Sequence, residues 1–189
     1  MGREFELKFK ATAQALDEIR ALWQDWEEIS METTYFDTVD GKLSAKHCTL
    51  RRRMENGVSV CTIKTPTAGL GRGEWDVKAP WGEETVAKLF ANAQQKEISF
   101  EKMTAVCGAR FTRLAKTVNL PGCTVEIALD TGVLMGGGRA IPLCELEVEY
   151  KDGSETAMIA WAQHLAEKFG LQAESQSKFR RASLLAKGE

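Results

Sequence analysis

Residues 4 to 9 read Glu4-Phe5-Glu6-Leu7-Lys8-Phe9, charged and apolar side chains in strict alternation. A β-strand turns successive side chains to opposite faces, so Glu4, Glu6 and Lys8 share one face and Phe5, Leu7 and Phe9 the other. A single strand of this kind is ordinary, because a half-buried strand turns its charges to water. The pattern recurs, however. Glu145, Glu147 and Glu149 alternate with Leu146, Val148 and Tyr150, and Glu126 and Asp130 with Val125, Ile127 and Leu129. Arg51 and Arg53 stand behind Leu50, and Arg72, Glu74 and Asp76 alternate with Trp75 and Val77. Carboxylates spaced by two along a strand lie about 6.5 to 7 Å apart and repel unless something positive sits among them.

Neighbouring segments supply both signs. Glu4, Glu6, Glu145, Glu147 and Glu149 offer hard oxygen donors, while Lys8, Arg51, Arg53, Lys64, Arg72 and Arg113 offer cations. Carboxylates alone would point to a divalent metal, and cations alone to an anion. Both together point to a metal-bound polyphosphate, with Arg and Lys on its oxygens and the metal bridging them to Glu. A sheet curled into a barrel reconciles the two sets, charged faces inward around a wet lumen and apolar faces outward beneath amphipathic helices. Ionised groups buried without partners would cost several kcal/mol each, so such an interior demands mutual pairing, water and a ligand.

The remaining pattern predicts an α+β chain dominated by an antiparallel sheet. Strands are expected over 3–10, 33–37, 48–55, 58–65, 72–79, 111–119, 123–130 and 143–151, with Asn56-Gly57 as a two-residue hairpin turn. Leu16, Ile19, Leu22, Trp23 and Trp26, following the N-cap candidate Thr12, predict an amphipathic helix over 12–26. Met158, Trp161, Leu165 and Phe169 predict another from Ser154 to a stop at Gly170. Val86, Leu89 and Phe90 indicate a third, with weaker helices over 101–107 and 177–186. Residues 132–140 read as a turn, and Gly69, Gly71 and Gly73 as a flexible turn near the mouth of the lumen. No repeat or Pro/Ser-rich linker divides residues 1–189, so one domain is expected.

Composition narrows the function classes. With 43% hydrophobic and 28% charged residues, 189 residues can bury a sizeable core. A net charge of −2 disfavours a nonspecific duplex-binding or membrane-surface role, so neither nucleic acid nor membrane is expected as a partner. No apolar run approaches the roughly 20 residues of a membrane span, and the charged opening lacks a signal peptide's apolar core, so a cytoplasmic address is expected. Five cysteines without a CxxC pair read as reduced, mostly buried thiols. His47 and His164 are the only histidines, and His164 falls on the second amphipathic helix, which weighs against a histidine-activated nucleophile. Gly136-Gly137-Gly138 lacks a following Gly-Lys-Ser/Thr and reads as a hairpin turn. Trp75 and Trp81 read as packing residues, and Asp37 stands open between a cap and a site residue. A monomer and a homodimer formed through the apolar helix faces are both compatible with the pattern.

Glu4-Phe5-Glu6-Leu7-Lys8 resembles the ExExK signature of the CYTH family, the triphosphate tunnel metalloenzymes. Tyr35-Phe36-Asp37-Thr38, Leu50-Arg51-Arg52-Arg53, Thr62-Ile63-Lys64, Arg72-Gly73-Glu74-Trp75, Glu126 to Gly132, Glu145-Leu146-Glu147-Val148-Glu149 and Ser177-Lys178 resemble further family motifs in the family's order. ExExK alone would be weak; ordered matches from residue 4 to 178 are specific. The resemblance implies an eight-stranded antiparallel β-barrel tunnel with helices packed outside, hydrolysis of triphosphate-containing small molecules, and dependence on Mg²⁺ or Mn²⁺. Carried over by motif, Glu4, Glu6, Glu145, Glu147 and Glu149 would serve the metal, with Asp130 and Glu126 completing the acidic wall. Lys8, Arg51, Arg53, Lys64, Arg72, Arg113, Lys178 and, beyond the Ser-Lys motif, Arg181 would grip phosphates. Glu6 or Glu126 would act as base, with Lys8 in the reacting set. Within the family, residues 126–153 and 170–182 are similar to bacterial inorganic triphosphatases, which often carry a helical histidine-rich domain after this one. The sequence ends at Glu189, and no such domain is expected in it. Water would attack the terminal phosphorus of inorganic triphosphate and diphosphate would leave. Thiamine triphosphatase, class IV adenylate cyclase and a non-catalytic polyphosphate binder are the alternatives.

Overall fold

The computed structural model describes residues 2–68, 71–95 and 97–188; Gly69, one of the three turn glycines above, lies outside them. The chain runs β1 (Gly2–Glu4), β2 (Glu6–Lys10), α1 (Ala13–Arg20), β3 (Glu27–Thr38), α2 (Lys42–Ala45), β4 (Thr49–Glu55), β5 (Val58–Pro66), β6 (Arg72–Lys78) and α3 (Glu83–Asn92). It continues through a 3-10 turn (Phe100–Lys102), β7 (Met103–Leu120), β8 (Cys123–Gly136), β9 (Arg139–Gly153), α4 (Glu155–Lys168), β10 (Gln172–Ala173) and α5 (Lys178–Lys187). Every strand joins one antiparallel sheet in the order β1-β6-β5-β4-β3-β7-β8-β9-β2-β10.

The expected α+β class and large antiparallel sheet are present, but among the described residues the ladder has ten strands and its hydrogen bonds do not close into an eight-stranded barrel. The first segment accounts for the difference. Instead of one strand over 3–10, the chain breaks pairing at Phe5: β1 pairs with β6, and β2 pairs with β9. The Phe5 carbonyl accepts a hydrogen bond from the Tyr150 amide at 2.8 Å. Covalent continuity through that residue ties β6, near one end of the ladder, to β9, near the other.

Apolar side chains pack in three clusters. Phe9 of β2, Val125, Ile127 and Leu129 of β8, and Leu146 and Val148 of β9 meet Leu16 and Ile19 of α1 and Met158, Ala162 and Leu165 of α4. Leu50 of β4 and Cys61 and Ile63 of β5 meet Leu43 of α2 and Val86, Leu89 and Phe90 of α3, with Trp75 and Trp81 against them as expected. These two clusters lie behind the charged face, because their strand residues alternate with Lys8, Arg51, Thr62 and Glu147. The third departs from the expectation that all helices pack outside. Ala182 of α5 is buried with Ala109 and Phe111 of β7, Leu134 of β8 and Leu143 of β9. Those positions share strand parity with Arg113, Asp130 and Glu145, so α5 lies on the charged face and covers its apolar end.

Local chemistry sets the element ends. Thr12, Ser154 and Ser177 each accept, through the side-chain oxygen, the amide three residues on, which starts α1, α4 and α5. Asn56 and Gly57 at φ 47° and 84° make the predicted tight turn, and Gly137 and Gly138 at φ 57° and 75° make the β8–β9 turn. That turn is shorter than the predicted 132–140, because β8 and β9 stay paired up to Gly136 and Arg139. The predicted helix over 12–26 stops at Arg20, where the Trp26 indole donates to the carbonyls of Arg20 (3.0 Å) and Trp23 (3.1 Å) and satisfies the helix end. Residues 103–107, predicted within a short helix, are strand, paired with β3 over that stretch and with β8 from Cys107. Tertiary pairing overrides a short ambiguous apolar run.

Candidate active site

The charged face encloses a cavity of about 470 Å³. Of the residues singled out from the sequence, Glu4, Glu6, Lys8, Arg51, Arg53, Lys64, Arg72, Arg113, Glu147, Glu149 and Lys178 line it. Glu126, Asp130, Glu145 and Arg181 do not. Glu74, Tyr35, Thr49, the 175–177 loop, Phe179 and Arg180 line it as well. Glu74 is visible in the Arg72-Gly73-Glu74 alternation, and Ser177 in the Ser177-Lys178 motif, without a site role in either; Ser175 and Gln176 carry no pattern of their own, and the start of α5 brings them there from far along the chain.

Three electrostatic regions differ in how their charges are met. At the α5 end, Asp130, Glu145 and Glu147 bring carboxylate oxygens within 4.8 Å of one another, a grouping able to hold a metal. Lys178 already stands among them, 2.8 Å from Asp130, 2.7 Å from Glu147, and in contact with Glu145. Arg113 donates twice to Asp130, at 2.8 and 2.7 Å, and also to Glu147. Arg181 pairs with Glu145 and lies 3.8 Å from Glu174. Burial by itself would lower the Lys178 pKa, but Asp130, Glu147 and Glu145 overcome it and raise it above its ordinary value. Burial would raise Glu147, yet Lys178 and Arg113 hold it well below the usual carboxylate range. These carboxylates, expected on the metal, are neutralised by resident cations. Arg181 turns toward Glu145 and Glu174 rather than into the cavity.

The second region is a cationic wall. Register places Arg51 opposite Tyr35 and Arg53 opposite Thr33, so both guanidinia share the cavity face of β4. Arg53 is 6% exposed, donates through Nε to Thr33 Oγ1 at 3.1 Å, and has Glu55 at 3.9 Å as its one ion-pair partner among the described residues. Burial, then Arg51 and Arg113 alongside, bring its pKa down to about 10. It therefore remains charged at neutral pH in a site where positive charge outweighs its partners. Arg51 has Glu74 at 3.5 Å, and Lys64 pairs with Glu4 and has Glu74 at 3.4 Å. Arg72 donates to the His47 carbonyl at 2.9 Å, and His47 itself sits at φ 56° in the loop before β4.

The third region is acidic. Glu6 faces Glu149 across β2 and β9, and Glu149 faces Glu126 across β9 and β8. Glu6 takes Lys8 at 3.0 Å, while Glu149 takes Lys151 at 2.9 Å. Burial raises the Glu149 pKa, with Lys151 opposing and Glu126 and Glu4 adding to the rise. Glu4, Glu6 and Glu149 line the cavity with hard oxygen donors, and each meets a separate cation, Lys64, Lys8 and Lys151 respectively. Lys178 alone reaches all three carboxylates of the tighter Asp130–Glu145–Glu147 group, so the first set keeps more oxygen open to a divalent cation on the cavity side.

Asp37 belongs to none of these regions. Buried, it accepts the amides of Thr38 (2.7 Å), Leu43 (2.9 Å) and Ser44 (3.0 Å) and the Ser44 hydroxyl (2.6 Å), so it caps the first turn of α2 from the end of β3, in place of the side-chain bond that the N-cap residue Gly41 cannot make. His164 lies exposed on α4, and all five cysteines are free. Among the described residues, no helix is long and apolar enough to cross a membrane.

Comparison with known proteins bears on the family and the fold. The CYTH domain matches residues 2–183. An inorganic triphosphatase from Haemophilus influenzae is 25% identical over 98% of this chain, and the chain spans 55% of that relative's length. Among solved structures, the Bacillus halodurans protein bh2851, provisionally described as an adenylate cyclase, superposes with a TM-score of 0.68 at 17% identity, covering 96% of this chain and 98% of that one. The Hippeastrum protein HpAC1, reported with a dominant triphosphatase activity, gives 0.67 at 16% identity, covering 98% of this chain and 96% of its own. These two show a shared fold. The chain belongs to the CYTH family.

Proposed function

We propose that the cavity binds inorganic triphosphate with a divalent cation and that water hydrolyses its terminal phosphoanhydride, leaving diphosphate and phosphate. The observation that carries this reading is the buried guanidinium of Arg53, whose pKa is held near 10 with Arg51 and Arg113 beside it. A cationic group is kept in such a place when an anion relieves it, and a polyphosphate has the charge and the oxygens to do so. The curated relative's activity supports the same reading.

In this scheme Arg51, Arg53, Arg113, Lys64 and Arg72 take phosphate oxygens and hold the chain of phosphates in line for attack. Glu4, Glu6 and Glu149 would hold the divalent cation, Mg²⁺ or Mn²⁺. When bound, that ion would supply Lewis-acid stabilisation of phosphate charge. Glu6, on the cavity wall with Lys8 at 3.0 Å, accepts the proton of the attacking water; Glu126 lies outside the lining and is set aside. The bond from the terminal phosphorus to the bridging oxygen breaks, and the cationic wall stabilises charge on the departing diphosphate.

Phosphate release from tripolyphosphate, ATP and thiamine triphosphate, each with Mg²⁺, Mn²⁺ or EDTA, tests this. Tripolyphosphate should be turned over fastest and EDTA should abolish the reaction. Tight binding without turnover would instead make the chain a polyphosphate binder. One observation favours a second reading, an organic triphosphate. A larger cavity of about 1110 Å³ shares Thr49, Arg72, Phe179 and Arg180 with the charged one and carries Val39, Val106 and Cys48 on its walls. ATP or thiamine triphosphate outpacing tripolyphosphate, or release of cyclic AMP, would move the assignment there.

A further inference from the structure

The β8–β9 ladder slips by one residue near its end: Val125 faces Tyr150 and Thr124 faces Asp152, which leaves Lys151 as the extra residue of a β-bulge. Bulges re-aim side chains and occur beside functional sites. Here the Lys151 ammonium stands 2.9 Å from Glu149 Oε1 and 3.6 Å from Glu126 Oε2. The same registers set Glu6, Glu149 and Glu126 side by side across β2, β9 and β8. Adjacent strands lie about 4.8 Å apart, and directly opposed like charges are unfavourable, so each of the two gaps in this row calls for a cation. The Glu6–Glu149 gap opens onto the cavity. The Glu149–Glu126 gap is the one Lys151 serves.

We infer that Lys151 is a built-in counter-cation, which keeps the Glu149–Glu126 pair from taking a divalent ion and confines such binding to Glu4, Glu6 and Glu149. The inner ion rests on the proposed function; the effect of Lys151 on the outer pair does not. An ammonium brings one charge and three donors but cannot accept oxygen ligands, so it satisfies the carboxylates without offering a coordination position to substrate. The side chains of Lys151, Glu126 and Glu149 are 36%, 30% and 29% exposed, so a hydrated ion can reach the gap once the ammonium is removed.

Mn²⁺ alone is the probe. Free Mn²⁺ is followed by electron paramagnetic resonance while the full chain is titrated, in the wild type, Lys151→Met, Lys151→Arg and the double variant Lys151→Met/Glu126→Gln. Lys151→Met should bind one more Mn²⁺ per chain than the wild type. The charge-retaining Lys151→Arg should match the wild type, and the double variant should return to it. Equal stoichiometry in the wild type and Lys151→Met, or an added ion that survives Glu126→Gln, overturns the inference. The wild-type value reports separately on the proposed function: one ion is expected, and none would overturn the metal reading while the increment still decides the role of Lys151. Lys151→Gln serves as the neutral variant if Lys151→Met does not fold.

Discussion

Arg53→Met separates what the cationic wall does for binding from what it does for folding. The fall of the Arg53 pKa from its ordinary 12.5 to about 10, at 1.36 kcal/mol per pKa unit, places on the order of 3 kcal/mol of unfavourable energy in the charged, ligand-free site. Methionine keeps most of the apolar stem and removes the charge. The substitution gives up the 3.1 Å hydrogen bond to Thr33, about 1 kcal/mol net. It also gives up the guanidinium's position 5.8 Å from the Phe111 ring centroid, about 0.5 to 1 kcal/mol more. The ligand-free variant should therefore be as stable as the wild type or more stable by about 1 kcal/mol, while turnover falls about 100-fold. Urea denaturation at neutral pH, with and without tripolyphosphate, reads both sides: the ligand-free midpoint should hold or rise, and the stabilisation that tripolyphosphate confers on the wild type should largely vanish. A ligand-free loss of about 3 kcal/mol or more, the size seen when a buried ion pair is broken, would show that Arg53 is a paired structural charge and refute the reasoning. Turnover within about twofold of wild type would remove it from the phosphate grip.

The α5 cluster should behave in the opposite way. Lys178→Met leaves Asp130, Glu145 and Glu147 close together with less positive charge among them and should cost about 3 to 5 kcal/mol in urea denaturation; a loss below about 1 kcal/mol would contradict the network. Lys178 is raised above its ordinary 10.5 and Glu147 held well below its ordinary 4.5. Their contribution to stability is therefore complete between those two values, is lost as pH rises through the folded Lys178 value, and is lost as pH falls through the folded Glu147 value. Midpoints measured against pH should decline on the acid side, and Glu147→Gln should make that decline shallower; an unchanged slope would count against the pairing. Asp37→Ala strips the cap from α2 and should destabilise by about 2 to 3 kcal/mol with kcat within a few-fold of wild type, whereas a collapse of kcat with the fold intact would return Asp37 to the site.

Much of the sheet was legible because its signal is local. Period-two alternation in 4–9, 50–53, 123–130 and 145–150 marks which side chains share a face, whatever the strands pair with. Glycines in Asn56-Gly57 and Gly136-Gly137-Gly138 mark the tight turns by the same local logic, since positive φ favours Gly and Asn. Other features had no such signal. Residues 103–110 extend β7 only because β3 and β8 are there to receive them. The Trp26 indole ends α1 by reaching back to two carbonyls. Asp37 looked equally like a site residue and a cap until Leu43 and Ser44 came within reach of it.

By itself, then, the order of residues determined that charge of both signs would gather on one face of an antiparallel sheet and apolar side chains on the other. Which charge meets which was decided only in three dimensions. Cross-strand register sets Glu6 against Glu149 and Lys8 against Glu147, and a slip of one residue would turn each strand's side chains to the other face. Helix α5, arriving from the far end of the chain, puts Lys178 among Asp130, Glu145 and Glu147, and a single bulge leaves Lys151 over Glu149 and Glu126. Coulomb energy depends on separation and burial, which the fold supplies, so identical carboxylates become salt-bridge anchors at one end of the cavity and candidate metal ligands at the other.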